Sequence, residues 1–452
     1  MADQATNPAL DALRGRGAYM RIIRLGLPIL VGQLGMIVVG FADTKMVGLY
    51  STEALASASF VNNLFNVVIF ACIGFSYGLT PLIGALFSQG RRRSIGEMLL
   101  NGVVINTLFA LLITAVMTVL YFNLHRLDQP EELLPLIRPY YLIYLAGVVP
   151  VSLFNAFAQW SYGINRTALP MWITLFANVL NILGNWLLIY GHWGLPELGL
   201  VGAGISTLVA RVVCPVLIAV AFFLAPIYRE YREGFTRGRL NGQCFRQINR
   251  TSWPVSLQMT FESGSFTAAA IMTGWLGAVP LAAFQIVVIT GTLGFCVYYS
   301  VAAAVSVLVS NAAGASDKPL MRHVAWCGYH IILTLATAAS LAFIFGGNAF
   351  VHQFTNDPEV ISAALALIVP LVLYQYGDAT QITYANALRG TANVMPMMWI
   401  AFVCYVVVGI PATYVLGFPL GMGAYGIILS FSVSLFLAAG LFFWFFRRTT
   451  RP

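Results

Sequence analysis

Long apolar runs follow one another along nearly the whole chain, each closed by a short polar segment. That succession limits the fold more than any other feature of the sequence. A hydrocarbon layer about 30 Å thick is crossed by a helix of about 20 apolar residues, and these runs have that length. Of 452 residues, 59% are hydrophobic and 9% are charged. A soluble domain carries about 25% charged residues, so this chain lacks the polar side chains to cover a surface in water. The sequence therefore predicts an all-α polytopic membrane protein.

The runs predict spans near 22–48, 54–87, 95–122, 133–160, 167–190 and 199–225, then near 252–276, 280–312, 321–349, 360–387, 394–417 and 422–446. The net charge of +8 does not indicate nucleic acid, because the basic residues occupy short loops. Arg14, Arg16, Arg91, Arg92, Arg93, Arg166, Arg239, Lys318, Arg389 and Arg451 fall in one set of alternate loops or in the tails, whereas the opposite loops hold only Arg126 and Arg138. That bias places both termini in the cytoplasm. It divides the chain into an N-terminal tail (1–19), a six-helix lobe (20–225), a cytoplasmic linker (226–250), a second six-helix lobe (251–446) and a C-terminal tail (447–452). No cleaved signal peptide is expected. The six cysteines (Cys72, Cys214, Cys244, Cys296, Cys327, Cys404) form no CxxC pair and read as small apolar side chains.

The chain also aligns with itself at an offset of 226 residues. Pro28 meets Pro254, Leu55-Ala56 meets Leu281-Ala282, Arg92 meets Lys318, and Pro170-Met171 meets Pro396-Met397. An even number of spans per half gives the halves one orientation, a plan that places a transport site at the repeat interface.

Three acids fall well inside spans: Asp43, Glu262 and Asp378. An ionisable group at mid-bilayer costs roughly 2.5–3.5 kcal/mol on insertion scales, so each needs a reason to be there. A carboxylate held out of water can take a proton or a small cation reversibly. The structural alternative, a quiet ion pair, applies best to Asp43, since Lys45 lies two residues on. Asn178, Asn181 and Asn185 share one helix face, which reads equally as polar glue between helices or as part of a site. Tyr374 stands one turn from Asp378 and Phe261 adjoins Glu262, placing aromatic rings where organic cations would bind. Phe261, Gln285 and Asn178 are the candidates for a substrate cleft. Pro28, Pro81, Pro150, Pro170, Pro254 and Pro411 lie in or at the ends of spans. No phosphate-binding loop, histidine cluster or serine–histidine–aspartate arrangement is present, so the chain reads as a carrier and not an enzyme. An intramembrane hydrolase using Asp378 and Glu262 is the residual enzymatic reading.

Several segments resemble the multidrug and toxic compound extrusion (MATE) transporters. They are GFADTKMVG (40–48), the paired basic loops SQGRRR (88–93) and NAAGASDK (311–318), and RTALPMWI (166–173). LNILGNWLLIYG with LPELGLVGAGISTLVA (180–210), FE at 261–262, and YQYGDATQ with ALRG (374–390) are similar to the NorM branch of that family. The resemblance implies twelve helices in two pseudo-symmetric six-helix bundles that export organic cations in exchange for Na⁺ or H⁺. It implies that Glu262, Asp378 and Tyr374 form the cation site of the C-terminal lobe, with Glu262 and Asp378 as the Na⁺ ligands if Na⁺ is the ion. Asp43, Asn181, Asn185 and Thr207 match the polar cluster of the N-terminal lobe. Lys45 beside Asp43 departs from the family pattern and would bias that aspartate toward its ionised form. No cofactor beyond the coupling ion, no nucleic acid and a monomer among membrane lipids are expected, in a bacterial inner membrane. Two other transport readings stay open: a lipid-linked sugar flippase of the same superfamily, and a major facilitator drug/H⁺ antiporter, whose loop after the second helix is loosely echoed by GALFSQGRRRSIG (84–96).

Overall fold

In hydrocarbon no water satisfies a backbone N–H or C=O, so a chain this apolar must close its hydrogen bonds within helices or a barrel. The computed structural model of the protein describes residues 13–127 and 130–451, and among them every regular element is helical. Residues 1–12 of the expected N-terminal tail lie outside the described residues, as does Pro452. The elements of the first half are α1 (Gly17–Tyr50), α2 (Thr52–Ser76), α3 (Leu79–Ser88), α4 (Arg92–Phe122), α5 (Leu134–Ala146), α6 (Val148–Gly163), α7 (Ala168–Tyr190) and α8 (Gly199–Leu224). A short helix α9 (Arg229–Arg237) precedes α10 (Gly242–Gly274), α11 (Ala278–Gly314), α12 (Lys318–Val351), α13 (Pro358–Ala366) and α14 (Ile368–Gly390). The chain ends with α15 (Met395–Ala401), a π-helical stretch over Phe402–Gly409, α16 (Ile410–Gly417) and α17 (Gly423–Thr449).

Among the described residues, 10 spans are long and apolar enough to cross a membrane, and the pair α13 and α14, bent by 44°, makes up to 11. The expected span near 252–276 belongs to α10, which is long enough at 33 residues. Its Gln258, Glu262, Ser263 and Ser265 dilute its apolar character, so the least lipid-like of the long helices is one that carries an intramembrane acid. Of the prolines singled out, Pro81, Pro150 and Pro170 sit in the first turn of α3, α6 and α7, where a helix has no use for their missing N–H. Pro28 and Pro254 lie in the interiors of α1 and α10. Pro411 follows the π-helical stretch as the second residue of α16.

The repeat is visible in the backbone. Thr52 and Ala278 begin equivalent spans, Ser88 and Gly314 end them, and Arg92 and Lys318 open the next helices, each pair 226 positions apart. The intervening turns close alike. Gly90 (φ 70°) and Ser316 (φ 58°) are both left-handed, and the following amides, Arg91 N and Asp317 N, donate to Leu86 O (3.1 Å) and Ala312 O (3.0 Å).

The chain forms two compact units, and their boundaries fall inside helices and not in the linker. One unit is Val31–Ser256; the other joins the chain up to Leu30 to Leu257–Pro452. The start of α1 belongs with the second half because Gly26 lies against the backbone of Ser300 and Val301. Likewise the start of α10 belongs with the first half. Thr251 Oγ1 donates to Gly78 O (3.0 Å), Ser252 abuts Gly78 so closely that no side chain fits there, and Trp253 meets the stacked pair Phe75 and Phe109 edge-on. Gly78 accordingly separates α2 from α3.

Residues 226–250, read from sequence as a linker, are largely helical, and α9 is held firmly. Trp160, fully buried, is ringed by Phe222, Tyr228 and Tyr231. A Cβ on Gly96 of α4 would run into the carbonyl of Tyr231, and one on Gly234 into the carbonyl of Arg93. Ion pairs Arg92–Glu230 (3.2 Å), Arg93–Glu233 (3.2 Å) and Arg229–Glu233 (3.4 Å) flank this crossing in the open. Replacing Gly96 or Gly234 by valine forces the helices apart and is expected to destabilise the protein by about 1–3 kcal/mol or more. Arg92→Gln, which removes one exposed pair, is expected to change stability by less than about 1 kcal/mol. Thermal unfolding of the purified variants checks the contrast.

Candidate functional site

The first unit holds a chain of side-chain hydrogen bonds that begins at Asp43. Its Oδ1 accepts from Asn185 Nδ2, and Asn185 Oδ1 accepts from Ser206 Oγ. Asn185 Nδ2 also reaches Asn181 Oδ1 (3.4 Å), Asn181 Nδ2 donates to Thr207 Oγ1 (3.1 Å), and Thr207 returns its proton to Ala203 O (2.9 Å). Small residues make this possible. A Cβ on Gly184 would press on Ser206 and one on Gly202 on the Leu188 carbonyl, so α7 and α8 approach closely enough for their polar side chains to meet. Asn181 and Asn185 are buried. The structure thus joins Asp43, Asn181, Asn185 and Thr207, while Asn178, on the same face, has an Nδ2 with no hydrogen-bond partner and lies against Gly35.

The expected role of Lys45 is corrected by its position. Lys45 is exposed, and the cation whose charge reaches Asp43 is Arg211 of α8. Arg211 lies over the Tyr144 ring, its Cζ 4.2 Å from the centroid, and packs where Gly147 leaves room. Its Nη1 is buried without a hydrogen-bond partner. The two-residue spacing of Asp43 and Lys45 turns them to different faces of one helix, and the charge that acts on Asp43 is on a neighbouring helix instead.

The second unit is built around α14, whose residues from Tyr374 to Gly390 are buried on almost every side. Tyr374, Asp378 and Gln381 fall within one face of this helix. Gly291 and Gly294 of α11 admit it. A Cβ on Gly291 would touch the Tyr374 ring at 3.4 Å, and one on Gly294 would crowd the Gln375 amide at 2.8 Å. Phe266 and Phe431 stand edge-on to the Tyr374 ring, with centroids at 6.3 and 6.4 Å. The Gln258 amide, one turn earlier on α10, and the charge of Arg389 both act on Glu262. Asp378 is 1% exposed, feels the charge of Glu262, and has its Oδ2 unpartnered. Tyr298 couples electrostatically to Asp378, and Tyr405, in the π-helical stretch, to both acids; both hydroxyls lack hydrogen-bond partners.

Glu262, Asp378 and Tyr374 therefore belong to one buried polar cluster. Of the cleft candidates, Phe261 packs on Phe402 (5.6 Å) and Gln285 is exposed. Arg389, counted from sequence with the loop residues, is instead 5% exposed in the last turn of α14. Gln258, Tyr298, Tyr405, Ser206, Arg211 and Arg389 are the neighbours that sequence reasoning did not place in these clusters. Two signals pointed toward them: the four-residue spacing of Gln258 and Glu262, and the position of Arg211 inside a span. Carboxylate, phenol and amide oxygens in one buried place suit a proton or a hard monovalent cation. Among the described residues, no group of three or more His, Cys, Asp or Glu side chains could hold a metal ion.

Repeated halves of membrane-crossing helices, with a polar cluster around an intramembrane carboxylate in each unit, define a membrane transport protein. The chain belongs to the MatE family, matching it over residues 28–187 and 254–415. It is 28% identical over 435 residues to the probable multidrug resistance protein NorM of Geobacillus kaustophilus, covering 95% of this chain and 94% of that one. It is 27% identical over 425 residues to the multidrug resistance protein NorM of Vibrio cholerae, covering 92% and 93%. A MATE family multidrug resistance transporter of the MOP superfamily in its outward-facing conformation has the same fold, with a TM-score of 0.88 at 17% identity over 98% of this chain and 97% of that one.

Asn185→Ala removes the amide that bridges Asp43 and Ser206 and leaves buried groups unpaired, an expected loss of about 1–3 kcal/mol. Thr207→Val removes only the hydroxyl at the end of the chain and is expected to lose about 0.5–1.5 kcal/mol. Thermal unfolding of the two variants in one detergent tests the order.

Proposed function

We propose that this protein is a secondary active multidrug efflux antiporter that exports organic cations in exchange for Na⁺ or H⁺, residing as a monomer in a bacterial inner membrane with both termini cytoplasmic. The observation that carries the reading is Asp378: a carboxylate in a membrane-crossing helix, buried, with one oxygen unpartnered and a second acid, Glu262, acting on it. Two acids placed so compete for positive charge, and either a coupling cation or a cationic substrate relieves their repulsion. The names of the NorM relatives point to drugs as the cargo.

The mechanism is competition between states. Cation and drug bind better to opposite-facing conformations, and the carboxylates are the groups through which each biases the other. The outward-facing protein takes up Na⁺ or H⁺ and releases drug; the inward-facing protein does the reverse. Glu262, Asp378 and Tyr374 hold the coupling ion, with the hydroxyls of Tyr298 and Tyr405 as further oxygens near it. Arg211 acts on Asp43 and Arg389 on Glu262, whereas the charge acting on Asp378 is that of Glu262, which supports Asp378 as the carboxylate at the centre of the coupling site. The buried Arg211 Nη1 and Arg389 favour a second reading, a lipid-linked sugar flippase, because an anionic lipid headgroup would be met by such arginines.

Efflux of a fluorescent organic cation from cells or vesicles under an imposed Na⁺ or proton gradient tests the proposal. One gradient is expected to drive efflux. Glu262→Gln and Asp378→Asn are expected to slow it by about tenfold or more, since a hydrogen bond to a charged group is worth about 1.5–3 kcal/mol. If Asp43→Asn alone abolishes efflux, coupling lies in the first unit instead. If inserted protein moves no cation under either gradient, the antiport reading is wrong and the flippase reading takes its place.

A further inference from the structure

α12 begins at Lys318, while α14 ends at Gly390 and α17 at Thr449, so these ends meet on the side of the membrane that carries both termini. Between them lies a groove of about 500 Å³ lined by Pro319, Arg322, His323, Trp326, Tyr384, Phe443, Phe446 and Arg447. A second groove of about 470 Å³ adjoins it and shares Phe443 and Arg447, adding Trp444, Arg448 and Arg451. Neither groove has an acidic lining residue. The nearby acid, Asp317, is engaged by Arg14 at 3.5 Å. Arg322 and Arg447 have no ion pair among the described residues, and Arg322 Nε is buried without any hydrogen-bond partner. His323 Nε2 is accounted for by Gly15 O (3.1 Å) and Cys327 Sγ (3.6 Å).

The walls of both grooves are aromatic and partly exposed. Trp326 is 51% exposed and Trp444 49%. Arg447 Cζ lies 5.3 Å from the Phe443 ring and Arg448 Cζ 5.4 Å from the Trp444 ring, so both guanidinium groups are held at the level where rings give way to charge. Tyr384 stacks edge-on with Phe443 at 4.9 Å and closes the floor. Unbalanced arginines above exposed rings, opening sideways between membrane-crossing helices, are complementary to a phosphate head with acyl chains beneath it. A soluble anion would find the charge but would leave the rings uncovered.

We propose that this groove binds the headgroup of an anionic phospholipid from the leaflet on the side of the termini, with Arg322 and Arg447 as the phosphate ligands and Trp326 and Phe443 against the acyl chains. The lipid is a bound partner of the second unit and takes no part in the cargo site. The inference rests only on the chain spanning the membrane, so it stands or falls separately from the transported substrate.

Native mass spectrometry of the full-length protein in detergent, titrated with dioleoylphosphatidylglycerol or dioleoylphosphatidylcholine, tests it. The first phosphatidylglycerol adduct is expected to form at least about fivefold more tightly than the phosphatidylcholine adduct, and Arg322→Gln or Arg447→Gln is expected to weaken it about fivefold each. Arg126→Gln, on the opposite side of the membrane, is expected to leave it unchanged. Arg447 is exposed, so Arg447→Gln decides the matter if Arg322→Gln fails to fold. Equal binding of the two lipids, or an unaltered first adduct in Arg447→Gln, overturns the proposal. Displacement of phosphatidylglycerol by millimolar inorganic phosphate also overturns it, because the groove would then be an anion site without lipid character.

Discussion

The interior of a bilayer offers no hydrogen-bond partner, and the rest of this structure answers to that fact. Backbone groups close on themselves in helices, and a polar side chain inside a span must find another polar side chain on a neighbouring helix. The asparagine face of α7 meets Ser206 and Thr207 of α8 and Asp43 of α1 for this reason. In the second unit Gln258 on the same helix and Arg389 of α14 act on Glu262 of α10. The demand for a polar partner is not fully met at Asp378 Oδ2 or at the Tyr298 and Tyr405 hydroxyls, and both tyrosines couple electrostatically to Asp378. Clustered unmet oxygens are what a protein needs if it is to hold a small cation reversibly.

Close helix contact is the means by which these partners are brought together. Leucine on leucine does nothing for association in lipid, because lipid tails are equally apolar. Small residues let backbones approach instead. Gly184 and Gly202 do so between α7 and α8, Gly291 and Gly294 between α11 and α14, and Gly96 with Gly234 at the helix that follows the first six spans. Gly78 and Gly26 perform the same service for the starts of α10 and α1, which is why both helices divide between the compact units at positions just past Pro254 and Pro28.

The two units keep a common backbone and differ in their polar chemistry. The turns at Gly90 and Ser316 close alike, yet the acid of the first unit is tied to an asparagine and faced by Arg211, while Asp378 of the second is left with an unpartnered oxygen and a second acid beside it. Repetition supplied a scaffold, and substitutions within it gave each half its own electrostatics.

Much of this was legible along the chain. Apolar runs of bilayer length show where helices cross, because lipid imposes one requirement on every span. The constant offset of 226 shows that the crossing pattern repeats, and the cost of a charge in hydrocarbon marks Asp43, Glu262 and Asp378 as residues with a purpose. The shared face of Asn181 and Asn185 follows from helical periodicity alone. Which side chain on another helix meets each of these does not. The rotation and spacing of packed helices decide that Arg211 and not Lys45 acts on Asp43, that Arg389 is buried and acts on Glu262, and that Tyr298 and Tyr405 couple to the acids. Periodicity orients residues about their own helix axis. The partner across the gap is chosen by packing, which exists only once the helices have come together.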